Sequence, residues 1–185
     1  TQKFPIILEP KRKWTIFVTP HQHLDIGYTD YQSKVAEVQN RGVDKILDQI
    51  SHFPEMRFSL DGSWIVQQYL ATRNEAAKKN LLALVSEGKI AVPAMDASLL
   101  TGYASLEVLI RSASYAHSLH REYGLPFEYT TITDIPSSSW SYASILNALG
   151  LKYFVAASNN DRGPSLLYGR WNEKSPFWWQ GPDGN

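Results

Sequence analysis

The sequence predicts an α/β fold, a parallel β/α sheet forming an incomplete (β/α) barrel, and two observations carry that expectation. Short β-rich runs alternate with longer segments of helical period, which is the pattern of βα units whose strands run parallel. The residues just after these runs are unusually polar and acidic, and in such folds ligands sit beyond the carboxyl ends of the strands. A chain of 185 residues that is 43% hydrophobic and 12% aromatic can bury one sizeable core, so residues 1–185 read as one domain.

The elements follow in order. Trp14-Thr-Ile-Phe-Val-Thr19 has the length and β-branched content of a buried strand and runs into His21-Gln-His-Leu-Asp25. Val35, Val38, Val43, Ile46, Leu47 and Ile50 then recur at helical spacing. The second strand, Met56-Arg-Phe-Ser-Leu60, leads into Asp61-Gly-Ser-Trp64, and Leu70, Leu81, Leu82 and Val85 mark helix before the third. That strand, Lys89-Ile-Ala-Val92, leads to Met95-Asp96. Ser105 can cap a helix reaching about Tyr123, where Gly124 and Pro126 stop it. The fourth strand, Glu128-Tyr-Thr-Thr-Ile-Thr133, ends on Asp134, and Ser139 can open a helix that stops at Gly150. The fifth, Lys152-Tyr-Phe-Val-Ala-Ala157, runs into Asn159-Asn-Asp161. The tail from Trp171, with Phe177-Trp-Trp179 before Pro182-Asp-Gly184, reads as a strand and turn without a partner, which predicts concentration-dependent association into a homo-oligomer.

Composition excludes several functions. Lysine plus arginine and aspartate plus glutamate both total 18, so no net field draws nucleic acid or an anionic membrane surface. No apolar run approaches the roughly 20 residues of a membrane span. Cysteine is absent, so any metal must use His, Asp or Glu.

His21, His23 and Asp25 stand on alternate residues, so in an extended segment their side chains project to one side. An imidazole and a carboxylate two residues apart suit zinc; the alternative is a loop whose histidines cap the following helix. Gly27 permits close backbone approach, and Tyr28 offers a flat face to a sugar ring. Asp134 closes a buried β run and lies too far from the helix near Ser139 to cap it directly. Strands one and four can deliver residues to one rim, so Asp134 can join His23 and Asp25 around one ion and leave a coordination position open. Asp61 and Asp96 sit where substrate hydroxyls are bound, although acids there also cap helices. His52, His117 and His120 read as solvated or packed helix residues, and Trp178 and Trp179 as packing residues.

These motifs resemble those of a known family. Pro20-His-Gln-His-Leu-Asp-Ile-Gly-Tyr28 is similar to the opening Pro-His-Ser-His-Asn-Asp-Pro-Gly-Trp of the glycoside hydrolase family 38 α-mannosidases. Asp134, its Pro/Ser loop, the next helix and Gly150-Leu-Lys-Tyr-Phe154 resemble that family's nucleophile segment, and Phe177-Trp-Trp-Gln-Gly-Pro-Asp-Gly184 is similar to another of its segments. The resemblance implies a zinc ion held by His23, Asp25 and Asp134, with Asp134 also the catalytic nucleophile and His21 behind the ligands. It implies a carbohydrate substrate, an α-mannoside cleaved with retention, and Tyr28 in the sugar platform. It further implies that residues 1–185 are the N-terminal part of a longer catalytic domain, inactive alone, with another His ligand and the acid/base carboxylate supplied from beyond. Ile26, Tyr28 and Ile135-Pro-Ser-Ser-Ser139 depart from the family pattern and bear on the sugar subsite. Two other readings compete: an amidohydrolase-type metal hydrolase, which also ends its first strand on HxH but needs further ligands at later strand ends, and a non-catalytic carbohydrate-binding domain.

Overall fold

The apolar spacing between residues 35 and 50 forms the helix α1, Gln32–His52, which buries Val35, Val43, Ile46, Leu47 and Ile50 on one face. Val38, expected on that stripe, is turned outward, and Gln39 and Asn40 are buried in its stead. The structure, a computed structural model, describes residues 12–135, 138–157 and 176–185. After α1 come β1 (Phe58–Ser59), α2 (Ser63–Thr72), α3 (Glu75–Ser86), β2 (Ile90–Ala91), α4 (Leu106–Arg111), α5 (Ser114–Tyr123), β3 (Tyr129–Thr133), α6 (Tyr142–Ala148) and β4 (Tyr153–Ala157). None of these helices is long and apolar enough to cross a membrane.

The strands are parallel, as expected. β1 pairs with β2 through Phe58–Ile90 and Ser59–Ala91, and β3 pairs with β4 over its whole length, from Tyr129–Tyr153 to Thr133–Ala157. The Ala94 N–H donates to the Tyr129 carbonyl at 2.9 Å, so the end of the β2 segment meets the start of β3. One apolar cluster lies under α1, α2, α3, β1 and β2, with Leu60, Ile65, Tyr69, Leu81 and Ile90 fully buried. Each such side chain stabilises the fold by about 1.5–3 kcal/mol relative to exposure. A second cluster joins Ala94, Met95, Leu109, Ile132, Tyr142 and Leu146, and Phe127 packs against both.

α1 is pinned to α2 by polar contacts. Tyr69 donates to Asp44 at 2.7 Å, and Arg73 bridges Asp44 at 2.7 Å and Glu37 at 2.9 Å. Burial alone works to raise the Asp44 carboxyl, but the hydrogen bonds from Arg73 and Tyr69 outweigh it and hold the group below the usual carboxylate range. This pinning fixes the face of α1 that carries Gln39.

Three expectations are corrected. Residues 14–19 form no strand: Trp14, Ile16, Phe17 and Val18 are exposed, and only His21 makes a parallel bridge, to Ser59. A strand needs a neighbour along its length, and β1 is too short to serve the upstream part. The helix expected from Ser105 to Tyr123 is two helices. Ser105 caps α4 and Gly124 ends α5 in the left-handed conformation, but the Ser112 carbonyl accepts the Asp96 N–H at 2.8 Å and the ladder breaks there. The tail, where described, is a turn at residues 182–183 rather than a strand. Trp179 stacks on Phe154 with ring centroids 5.3 Å apart, Trp140 Nε1 donates to the Gln180 carbonyl at 2.7 Å, and Trp178 is exposed. Gly181 permits this docking, because a Cβ there would overlap the Ser144 hydroxyl. Asn159 to Asp161 and residues 171–175 of the expected tail lie outside the described residues.

Candidate metal centre

His21, His23 and Asp25 come from an irregular segment whose end is tied to β1: Ser59 N–H donates to the Pro20 carbonyl at 3.0 Å and Gln22 N–H to the Ser59 carbonyl at 3.2 Å. Leu24 is buried, which turns His23 and Asp25 on either side of it toward the surface. Gln39 reaches from α1 and donates its amide to the His23 carbonyl at 3.0 Å.

Asp134 arrives from the end of β3. Its N–H donates to the Ala157 carbonyl at 3.0 Å, and its φ of 58° is the one positive value at a non-glycine among the described residues. In a regular strand neighbouring side chains face opposite ways. The left-handed turn at 134 breaks that alternation, so Thr133 and Asp134 both reach His23: Thr133 Oγ1 lies 3.2 Å from Nδ1 and Asp134 Oδ2 lies 3.9 Å from Nε2. A left-handed aspartate costs backbone energy, and such strain gathers at functional sites.

The structure therefore brings together the trio named from the sequence. His23 Nε2 is 3.4 Å from Asp25 Oδ1, and one ligand atom from each of His23, Asp25 and Asp134 lies within 4.8 Å of the others. Zinc bonds of about 2.0–2.2 Å at tetrahedral angles put neighbouring ligand atoms about 3.3–3.6 Å apart, so a small contraction would close this set on one ion. An imidazole and two carboxylates, all partly open to solvent, are a donor set that fits a catalytic zinc with an open position.

Asp61 takes a different place from the substrate contact expected of it. Its side chain is 0% exposed. Its Oδ2 accepts from the Leu24 N–H at 3.0 Å and the Thr133 hydroxyl at 2.7 Å, and faces His23 Nδ1 at 2.9 Å. His21 Nε2 is 3.8 Å from the same oxygen. His21, His23 and Asp61 also form a group close enough for a metal, but burial and these partners leave that oxygen no room for one.

Asp96 lies beside the start of α2, where its Oδ1 accepts from the Ser63 hydroxyl at 2.9 Å and its carbonyl accepts the Trp64 N–H at 3.1 Å. Burial pushes its carboxyl above the usual range, against the pull of the Ser63 hydroxyl. The ring of Tyr28 is largely exposed. A cavity of about 130 Å³ opens beside the trio and is lined by His23, Asp25, Thr29, Asp30, Val38 and Gln39, without Tyr28. A larger hollow of about 560 Å³ sits between α3 and the end of α5 and holds none of these residues, so the donor atoms, not size, locate the site. His52, His117 and His120 each donate to a nearby backbone carbonyl, as helix residues do.

Residues 13–185 match the family model of the glycosyl hydrolases family 38 N-terminal domain. The chain belongs to this family. Among solved structures the family 38 chain is similar to a protein of glycosyl hydrolase family 38 from Enterococcus faecalis, at TM-score 0.66 and 21% identity over 90% of this chain and 17% of that one. It is similar to an α-mannosidase from Enterococcus faecalis V583 at TM-score 0.63 and 22% identity, over 76% of this chain and 16% of that one. It also resembles a 4-α-glucanotransferase from Thermococcus litoralis at TM-score 0.55 and 14% identity, over 75% of this chain and 21% of that one. These likenesses concern the fold, and the chain spans about a fifth or less of each solved chain's length. No curated protein matches it.

Three contributors to the site escaped the sequence reading. Thr133 and Gln39 had no motif to mark them, although a threonine directly before the strand-ending acid was a local signal for the first. Ser98, whose hydroxyl accepts the Thr133 N–H at 3.1 Å, had none.

Proposed function

We propose that this chain is the metal- and nucleophile-bearing part of a zinc-dependent retaining glycosidase acting on α-mannosides, built on an incomplete β/α barrel. The observation that supports it best is the meeting of His23 and Asp25, from the irregular segment bridged to β1, with Asp134, from the end of β3 and held in a left-handed turn. His23 Nε2, Asp25 and Asp134 would hold the ion, which when bound supplies a Lewis acid for vicinal sugar hydroxyls.

Asp134 attacks the anomeric carbon and the glycosidic C–O bond breaks. The leaving oxygen takes its proton from a carboxyl group about 5–5.5 Å away, contributed by the rest of the catalytic domain. The product is a glycosyl ester on Asp134, which water, giving its proton to the carboxylate that had acted as acid, then opens from the face opposite Asp134, where the leaving group had been, so two inversions retain the configuration. The strained backbone at Asp134 supports this role because it presents the carboxylate without letting the strand continue. Tyr28 offers a platform to the sugar and Asp96 a polar contact to its hydroxyls. The sugar, an uncharged carbohydrate, suits a chain with equal numbers of acidic and basic residues.

Incubating the full-length polypeptide with a 5-fluoro mannosyl fluoride and mapping the labelled peptide tests the proposal. Label on Asp134, a first product of retained configuration, and loss of turnover by several orders of magnitude in Asp134→Asn are expected. Label on another carboxylate, or an inverted first product, would overturn it.

A further inference from the structure

We infer that Asp61 is a positioning residue for His23: its buried carboxylate fixes which imidazole nitrogen is open to a metal ion. The inference rests on the metal-site reading above and adds a residue that the ligand motif does not contain.

The geometry gives His23 two different sides. Nδ1 faces inward, 2.9 Å from Asp61 Oδ2, and Nε2 faces the surface, 3.4 Å from Asp25 and 3.9 Å from Asp134. A carboxylate accepts and does not donate, so this contact requires the proton on Nδ1. Nε2 then carries the lone pair and points at the two carboxylates that would share the ion. A histidine free to choose its tautomer would offer the wrong nitrogen part of the time, and its ring would turn.

A merely structural duty does not account for an acid at 61. The Leu24 N–H and the Thr133 hydroxyl would be served equally by an amide oxygen. Asp61 Oδ1 is buried and accepts no hydrogen bond among the described residues, so half of the carboxylate lacks such compensation. A charge so buried is retained where a cationic group answers it. Of the two imidazoles nearby only His23 is in hydrogen-bonding range, and it answers through its Nδ1–H while an ion on Nε2 would supply the positive charge. A metal on Nε2 would draw charge through the ring and strengthen the Nδ1–H donor, so metal and Asp61 reinforce each other.

The backbone around Asp61 is built to hold it there. Gly62 has φ 151°, and a Cβ on it would overlap the Asp96 carbonyl, so the turn that aims Asp61 requires glycine. Thr133, adjacent to the proposed nucleophile, donates to the same Asp61 oxygen. Asp61 therefore ties the His23 segment to the end of β3.

The test compares wild type with Asp61→Asn in the full-length polypeptide stripped of metal. Zinc affinity is read by chelator competition, the cobalt complex by its visible spectrum, and the metal-free proteins by thermal unfolding. Asp61→Asn is expected to bind zinc about ten to a hundred times more weakly and to shift the cobalt spectrum, while the metal-free form unfolds close to wild type. Wild-type zinc affinity and an unchanged cobalt spectrum in Asp61→Asn would overturn the inference, whatever its stability. Wild type that binds no zinc, or His23→Ala that binds it as tightly as wild type, would overturn the metal-site reading beneath. Should Asp61→Asn not fold, nitrogen-15 spectra of histidine-labelled, metal-free wild type decide, with the His23 signals identified by their loss in His23→Ala. The proton on Nδ1 upholds the inference, and the proton on Nε2 overturns it.

Discussion

The two segments that meet at His23 reach it by different means. β3 is held along its whole length by β4, is tied to the β2 segment through Tyr129, and continues its pairing to Asp134, whose N–H still finds the Ala157 carbonyl. Residues 12–25 have one bridge to β1 and an exposed apolar stretch before it, and past that bridge they are placed by side chains: Asp61 on the Leu24 N–H and Gln39 on the His23 carbonyl. One ligand is thus set by a backbone ladder and two by a buried carboxylate and an amide. Damage to the second arrangement should loosen His23 and Asp25 while leaving Asp134 in place.

The largest effect should come from Gly62→Ala. The added Cβ meets the Asp96 backbone, and alanine is strained at that φ, so a destabilisation of about 2 to 5 kcal/mol is expected. Denaturant unfolding reads the loss, and zinc affinity should fall with it because Asp61 rides on the same turn. Amide exchange in β3 and β4 should stay close to wild type. A variant with ordinary stability and ordinary zinc affinity would show that the turn does not aim Asp61.

Thr133→Val sharpens the comparison because it cuts the link between the two sides and little else. Valine suits a strand and nearly matches threonine in volume, but the hydrogen bond to the buried carboxylate is lost. Bonds to charged groups contribute about 1.5–3 kcal/mol, so a stability loss in that range is expected. Zinc affinity should fall less than in Asp61→Asn, since His23 keeps its own bond to Asp61. A larger fall than in Asp61→Asn would mean that Thr133, not Asp61, governs His23.

The difference between the segments also explains what could be read in advance. The β runs that became β1 to β4 were legible because β-branched and aromatic residues fill them and turn residues bound them. The grouping of His23, Asp25 and Asp134 was legible because an imidazole and carboxylates directly after β-rich runs are unusual, even though the run before His23 is not a strand. Residues 14–19 misled because their composition is that of a strand, whereas a strand also needs a partner, and β1 spans only Phe58–Ser59. Asp61 was visible as an acid after a strand, but whether such an acid faces outward or inward depends on the turn at Gly62 and on its packing against Asp96. Gln39 was hidden because a polar residue on an amphipathic helix normally faces water, and here Asn40 and Gln39 both face inward.

The smallest effect concerns Asp96, which sits behind the Asp61 turn and would contact substrate hydroxyls in the proposed reading. Burial raises its folded-state pKa above the ordinary carboxylate value, with the Ser63 hydroxyl opposing. In the window between the unfolded value and the raised folded value the native state holds more protons than the unfolded state, so stability falls as pH rises through that window. Above it the loss is complete and constant. Asparagine at 96 carries no charge to desolvate, yet its amide oxygen can still accept from Ser63. Asp96→Asn should therefore remove this part of the decline and leave a flatter stability curve across the acid range, measured by denaturant unfolding of metal-free protein at a series of pH values. Zinc affinity should not change, because Asp96 lies outside the ligand trio. If the curves of wild type and Asp96→Asn run parallel, burial does not control this carboxyl. A flattened curve with kcat/KM on an α-mannoside also reduced would place Asp96 on the substrate as well as behind the turn. A flattened curve with kcat/KM intact would leave its side chain a partner of Ser63 alone.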